Sequence, residues 1–422
     1  MLKIRCRHDA GPAAKYFTQD CNLSAEERVG TWGGKLAAGL GLQGDVDPKD
    51  FLSLLHGFHP KGFPICARLH VNRRSAWEIV LSPDKSISIA ALASSPWKQA
   101  VQDSFNEAVR STFQVVESLA HVQVANARKF APTKNVACAA FVHHHSRDGD
   151  PHIHAHLLLL NSTFDPRSRR LRSLEVEPIY KCRQPLGEIF DRELARSLQL
   201  HGIPATLSEK GVAIIPSVPS SAISRLSRAN QRIETHTRTA SGLALLKSLN
   251  RQNAINRIND RTRPKKSQAR IIQPDEMLTR HELQSMLAGA GEGRLDRFAA
   301  ASPTKAKVDV NQAVRAAFLA DAFELTPKTA LRAAVRASRS NLQIPLGDFL
   351  EAAKELKPPG PFLPSRSKMP IHLLHLAHNL ATSSKEEFAP AEGISTQADP
   401  EIPVTRFGSV DVEQGWDDAI TM

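Results

Sequence analysis

The 422-residue sequence predicts an α+β chain built on antiparallel strands, and three observations carry that reading. Asp148-Gly149 separates residues 136–142 from a run that ends in four leucines, 157–160, and this dipeptide between strand-like runs is a strong hairpin signal. Leu2, Ile4 and Cys6 alternate with Lys3, Arg5 and Arg7, the pattern of a half-buried strand. Residues 95–119 place Val101, Phe105, Ala108, Phe113 and Val116 at helical spacing, which suits a helix lying over a sheet.

The hairpin fixes which side chains meet. With Asp148 and Gly149 as the central turn residues, Arg147 faces Asp150, His145 lies opposite His152 and His143 lies opposite His154. Side chains alternate along a strand, so His152, His154 and His156 share one face while Ile153, Ala155, Leu157 and Leu159 share the other. Pro151 cannot donate to the ladder and fits the first residue of the second arm. The imidazoles converge, and His143, His154 and His156 can each offer a neutral nitrogen to one divalent ion, leaving open positions for substrate. A solvated histidine-rich loop is the competing explanation. The mouth of a buried leucine strand is a poor place for idle imidazoles.

The other elements follow in order. After the opening strand, Pro12 suits the first turn of a helix through Tyr16 and Phe17. The chain has only two tyrosines, Tyr16 and Tyr180, and core packing is the ordinary fate of a tyrosine beside a phenylalanine. Asp47 can cap a helix that Pro48 starts, with Phe51, Leu52, Leu54 and Leu55 as its apolar face. Residues 77–81 read as a strand carrying Glu78, and Ser82-Pro83 as the cap and first turn of the next helix. Ser82, Lys85 and Ser86 at that N-terminus could hold a phosphate, because free amides and the helix dipole favour anions there. Arg167, Arg169, Arg170 and Arg172 form a basic cluster after the hairpin, suited to a nucleic-acid backbone. A helix over 185–200 ends near Gly202, and a strand is expected around 212–215. Residues 225–266 are basic and helical in pattern, which suits an element closing over a polyanion and equally suits any surface helix. Helices are then expected over 310–323, 328–338 and 344–356, a break at 358–361, and a short apolar helix over 371–380.

Composition narrows the class. The chain carries +12 with a pI near 9.6, and the stretch 385–422, with nine acidic against two basic residues, leaves +19 for the remainder. That balance fits a protein that neutralises phosphates. Cys6, Cys21, Cys66, Cys138 and Cys182 are odd in number and widely spaced, which supports neither a disulfide framework nor a zinc ribbon and points to a reducing, cytoplasmic setting. No apolar run approaches membrane-spanning length.

The run His143…Ser146-Arg147…Asp150-Pro151…His154-Ala155-His156…Asn161 resembles the metal-binding motif of MobF-type conjugative relaxases of the HUH endonuclease superfamily. Ala13-Ala14-Lys15-Tyr16-Phe17 resembles the family's Ala-Ala-x-Tyr-Tyr. Residues 39–48 and the strand followed by Ser82-Pro83-Asp84-Lys85-Ser86 also resemble it. The resemblance implies an antiparallel sheet palm covered by helices, with an additional helical C-terminal region. His143, His154 and His156 would hold a divalent cation, Mg2+ or Mn2+ first and Zn2+ as the alternative. Tyr16 would attack the scissile phosphate of single-stranded DNA at a plasmid or integrative-element transfer origin, giving a 5′-phosphotyrosyl bond. Glu78 stands where the family usually has aspartate, either orienting an imidazole or accepting the tyrosine proton. Arg147 joins Ser82, Lys85, Ser86 and the four later arginines as expected DNA contacts. Residues 19–22 carry no tyrosine where many relatives have a second cluster, which leaves two-tyrosine termination in doubt.

The expected organisation is a relaxase domain over 1–300, a helical region over 301–357, a Pro-rich linker with a short helix over 358–384 and a disordered acidic tail over 385–422. No G-x-x-x-x-G-K-[ST] phosphate loop occurs in the sequence, so ATPase activity is not expected. The partners implied are single-stranded and transfer-origin DNA, a separate helicase, a coupling protein and type IV secretion machinery, without membrane insertion. Competing readings are a rolling-circle replication initiator or transposase of the same superfamily, a noncatalytic DNA-binding regulator, and a metal phosphoesterase using water.

Overall fold

The computed structural model describes residues 2–18, 24, 26–66, 73–124, 129–262, 270–288, 309–321 and 324–356. Residues 19–22, the helix expected over 371–380 and the acidic stretch 385–422 lie outside them. No described helix is long and apolar enough to cross a membrane.

In chain order, β1 (Leu2–Arg7) leads into α1 (Ala10–Thr18), and a single turn at Glu26–Arg28 precedes β2 (Thr31–Gly33), α2 (Lys35–Gly39) and α3 (Pro48–His56). Then come β3 (Ala76–Leu81), α4 (Lys85–Leu92), α5 (Lys98–Ser118) and a ribbon of β4 (His121–Val124) with β5 (Lys129–Pro132). The histidine hairpin is β6 (Cys138–His145) and β7 (Pro151–Leu160), followed by a second ribbon of β8 (Thr163–Asp165) and β9 (Arg170–Arg172). After α6 (Glu177–Lys181) and α7 (Arg183–Leu200) a third ribbon pairs β10 (Thr206–Leu207) with β11 (Ala213–Ile214). Short helices α8 (Ser220–Arg225), α9 (Arg228–Thr237), α10 (Ala240–Ser248), α11 (Arg251–Thr262), α12 (Pro274–Met277) and α13 (Arg280–Ala288) follow. Three more span Val310–Asp321, Pro327–Ser338 and Leu346–Lys354.

Five strands make one sheet in the order β1-β3-β7-β6-β2, every neighbouring pair antiparallel. Its two faces explain the leucine run. Ile153, Ala155, Leu157 and Leu159 point into a core with Ile87, Phe105 and Phe190, while Leu158 and Leu160 point into a second core with Phe17, Trp32, Phe51 and Phe141. A strand buried on both sides reads as continuous apolar sequence. The histidines precede the leucines because β7 runs out from under α1–α3, and His154 and His156 continue the face that carries Leu158 and Leu160.

The three last helices share the first core through Phe318, Leu331 and Phe349. They are tied to α7 by Arg192, which is fully buried, pairs with Glu193 and donates to the carbonyls of Asn341, Leu342 and Ile344.

Local chemistry sets the helix starts. Asp47 accepts from the Lys49 and Asp50 amides with Pro48 in the first turn, and Gly57 closes α3 at φ 97°, as a left-handed cap requires. The start of α4 departs from expectation. Its cap is Asp84, whose carboxylate accepts from the Ser86 amide at 2.9 Å and the Ser86 hydroxyl at 2.7 Å, two residues beyond Ser82. The carboxylate satisfies a free amide with a full negative charge, which a serine hydroxyl cannot match. Similarly, α5 begins at Lys98, after Ser95-Pro96 has formed a turn of its own.

Candidate active site

The hairpin holds the expected register from Cys138 opposite Leu159 to His143 opposite His154, then shifts. At the shift the His144 amide donates to Glu27 Oε1 at 2.6 Å, away from the ladder. His145 therefore pairs with Pro151, where the two-residue turn would have set it against His152. The turn itself spans three residues, with Ser146 and Asp150 bonded across it and Gly149 at φ 76°, the loop type that places glycine in the left-handed region. A Cβ on Gly149 would lie 2.2 Å from the Arg270 carbonyl oxygen.

His143, His154 and His156 are buried, with one ligand nitrogen from each lying within 4.8 Å of the others. Their rings are spaced 4.7–5.4 Å apart. His154 Nδ1 is 2.8 Å from the His152 carbonyl and His156 Nδ1 is 2.6 Å from Glu78 Oε1, so in each ring the Nδ1 proton has an acceptor and Nε2 carries the lone pair. His156 Nε2 is buried with no hydrogen-bond partner. A buried orphan nitrogen beside two further imidazoles fits a divalent metal. Burial, then the neighbouring histidines, hold His154 well below the usual imidazole range. Burial, with Lys85 and Lys3 nearby, lowers His152 to about 4. Neutral imidazoles are the form that ligates.

Glu78 is 1% exposed. Its Oε2 pairs with Arg7 at 2.6 Å while Oε1 takes the His156 proton. Burial pushes this carboxyl up, but the His156 hydrogen bond and charge, with Arg7 and Arg5, bring it below the ordinary range. It is an ionised acceptor fixed on two sides. The extra methylene relative to aspartate reaches His156 across the β3–β7 pair, where Val80 is the residue opposite His156.

Tyr16 and Phe17 divide the labour expected of one aromatic. Phe17 is fully buried and stacks on Phe141 at 5.0 Å. Tyr16, half-buried, has its ring centre 6.2 Å from that of His143 and 6.3 Å from that of His156. Buried Ala13 and Ala14 give α1 a small-residue face against the second core. Tyr16, Glu78, Ser82, Arg147 and the three histidines line one cleft of about 820 Å³.

Other expected contacts lie elsewhere. Ser86 is buried, donating to Asp84 and accepting from the Ile215 amide at 3.1 Å. Lys85 donates to the Pro151 carbonyl at 2.8 Å, and the Asp84 carboxylate occupies the α4 N-terminus, so that end is already neutralised. Arg167 and Arg172 are ion-paired to Asp165 at 3.1 and 3.4 Å, and neither they nor Arg169 and Arg170 line the cleft.

Sequence reading missed the second circle of residues. Arg7 behind Glu78 and Glu27 at the bulge act from 71 and 117 residues away. Asp150, 1% exposed, accepts from Arg228 Nε at 2.6 Å and from its amide at 2.8 Å, and Asp148 pairs with Arg232. With Gly149 O accepting from the Ile272 amide at 3.1 Å, these bonds bring α9 and residues 270–272 onto the hairpin tip, forming the cleft's far wall. The only available signal was the Asp-x-Asp pair flanking Gly149.

Residues 6–285 match the family model described as TrwC relaxase. The multifunctional conjugation protein TraI of Escherichia coli is 30% identical over 242 residues, covering 54% of this chain but 14% of that protein. The protein of the same name from E. coli strain K12 is 29% identical over 238 residues, 53% of this chain and 13% of its own length. The chain thus spans about one-seventh of these relatives. Among solved structures, the metal-bound conjugative relaxase TrwC in complex with oriT DNA superposes with a TM-score of 0.55 at 24% identity, covering 68% of this chain and 98% of that one. TrwC complexed with a 27-mer DNA comprising the recognition hairpin and the cleavage site gives 0.54 at 24%, covering 69% and 99%.

Proposed function

The chain belongs to the TrwC relaxase family, and on that premise we propose that it nicks single-stranded DNA at the transfer origin of a plasmid or integrative element through Tyr16. The observation that carries this reading is the placement of the Tyr16 ring 6.2 and 6.3 Å from two of three converging histidines, in a cleft open to a nucleic-acid strand.

His143, His154 and His156 would hold a divalent metal, Mg2+ or Mn2+ first and Zn2+ as the alternative, which would supply Lewis-acid neutralisation of charge at the scissile phosphate. The chain's residues do the rest. Phe17 anchors α1 in the core so that Tyr16 presents its hydroxyl to the cleft. The hydroxyl oxygen forms a bond to phosphorus as the bond to the 3′ oxygen breaks. The phenolic proton leaves to water, and the departing 3′ oxygen takes one up. One phosphodiester is exchanged for another, so the step is reversible and permits rejoining. Glu78, engaged through both oxygens, positions His156 and leaves the tyrosine proton to solvent. On this reading a helicase, a coupling protein and type IV secretion machinery are the partners that would use the nicked strand.

The test incubates the chain with single-stranded oligonucleotides spanning candidate transfer origins, with and without Mg2+ or Mn2+, on denaturing gels beside Tyr16→Phe. The expected result is a metal-dependent covalent adduct lost in the variant. Cleavage without an adduct would instead support a phosphoesterase, and binding without cleavage a regulator.

A further inference from the structure

We infer that the groove behind the histidine hairpin, on the face of β6 and β7 opposite the three candidate ligands, is a nucleobase pocket that seats a base of the single strand next to the metal centre. The inference rests on the nicking reading and goes beyond it by giving one base of that strand a site that no motif marks.

The groove has a volume of about 700 Å³, within the range of about 300–1,000 Å³ that encloses a small organic ligand. Its floor is Ala140, Val142, Ile153 and Ala155, the side of the hairpin that faces the first core. One wall is α5, where Gln99, Gln102 and Asn106 follow one another at steps of three and four and so share a helix face. The other wall is Ile271, Ile272 and Met277. The groove adjoins the catalytic cleft, because His145 and Ile271 line both cavities. His145 stands two residues along β6 from His143, at most about 7 Å. Its place on this ridge follows the bulge that Glu27 holds at His144, which takes His145 out of the register of the preceding pairs, as bulges beside active sites re-aim side chains.

The lining matches the chemistry of a base. Among the described residues no aspartate or glutamate lines the groove, so a strand entering it meets no carboxylate. The apolar floor suits the face of a base, and the His145 imidazole at the entrance is a ring on which a base stacks. The α5 wall serves the base's edge. Gln102 Nε2 donates to the Ala91 carbonyl at 3.2 Å and Gln99 Nε2 donates to Asp103 at 3.0 Å, which leaves both amide oxygens to accept. Asn106, half-buried, makes no hydrogen bond among the described residues and offers a whole amide. Such an amide pairs with the neighbouring donor and acceptor on a base edge. An acyl chain would leave these amides unsatisfied. A base, in contrast, arrives already tethered to a phosphate in the adjoining cleft, which raises its effective concentration at the groove.

The test measures fluorescence-anisotropy binding of an oligodeoxythymidylate and of an abasic strand of equal length, which keeps the phosphates and removes every base. It compares the parent chain with Asn106→Trp, which fills the groove from its α5 wall, and Asn106→Ala, which removes only the amide. Asn106→Trp should bind the thymidylate about ten-fold more weakly, the scale of one lost base stack, and bind the abasic strand and Mn2+ as the parent does. Asn106→Ala should lose about three-fold on the thymidylate alone, the scale of one hydrogen bond, so the pocket is tested even where tryptophan disturbs α5. Thymidylate affinity equal to the parent's in both variants, or equal losses on the two strands, would overturn the pocket. A Tyr16 adduct alongside unchanged thymidylate affinity in both variants sinks this inference alone. A loss confined to the thymidylate, with no adduct on any origin, sinks the nicking reading and leaves the pocket standing.

Discussion

Replacing Glu78 with glutamine separates two roles that one carboxylate could play. The side chain is 1% exposed and holds two donors, His156 Nδ1 and an Arg7 guanidinium nitrogen, each at 2.6 Å. Glutamine keeps the shape but offers one oxygen and one NH2 group, so it can satisfy one of these donors and must set donor against donor at the other. It also removes the charge that holds the His156 tautomer. Loss of such a partner typically costs 10–100-fold in metal affinity, or about 1.4–2.7 kcal/mol. Mn2+ titration followed by electron paramagnetic resonance reads the affinity directly, with His143→Ala as the weaker reference. Adduct formation is then timed at saturating Mn2+. If Glu78 only positions His156, saturation restores the rate to within a few-fold. Unchanged Mn2+ affinity would refute positioning, and a rate still depressed by about 100-fold or more at saturation would mark Glu78 as the proton acceptor.

Two further changes test the scaffold. Glu117, buried, accepts from the Lys35 amide at 2.7 Å and the Val136 amide at 3.3 Å, and burial, partly offset by Lys35, raises its carboxyl to about 7. Its folded pKa exceeds the unfolded one near 4.5, so the relative stability it confers is complete in acid and is lost as pH rises through about 7. Glu117→Gln should therefore gain on the parent in melting temperature between pH 5 and pH 8, and parallel curves would contradict the assignment. Arg192→Ala removes the charge that pairs with Glu193 and serves the Asn341, Leu342 and Ile344 carbonyls, and should lower unfolding free energy in urea by about 3–5 kcal/mol. A loss below about 1 kcal/mol would mean that the carbonyls find water.

What the sequence made legible was local. The face shared by His152, His154 and His156, the facing of His143 and His154, and the strand nature of residues 2–7 all follow from alternation and one turn, and the structure has them. The Asp47 cap was readable because cap and helix are adjacent. The bulge at His144 was not, because its cause is Glu27. Nor was the diversion of Arg167 and Arg172, which Asp165 captures once β8 and β9 fold back on each other. Ser82 lost the cap to Asp84 through a difference in acceptor strength that spacing alone does not reveal. The Asp150–Arg228 clasp depends on where α9 returns, 78 residues later.

All three candidate ligands lie on one hairpin, within 14 residues of chain, whereas the carboxylate that orients His156 comes from β3 and the arginine behind it from β1. An unfolded or newly made chain therefore already carries a chelating segment. Metal that binds this segment before the sheet assembles stabilises both states, and only the affinity added by Glu78 and Arg7 favours the folded one. Metal should thus steady the fold by less than its affinity for the native chain implies, and the shortfall measures how much of the centre the hairpin builds alone.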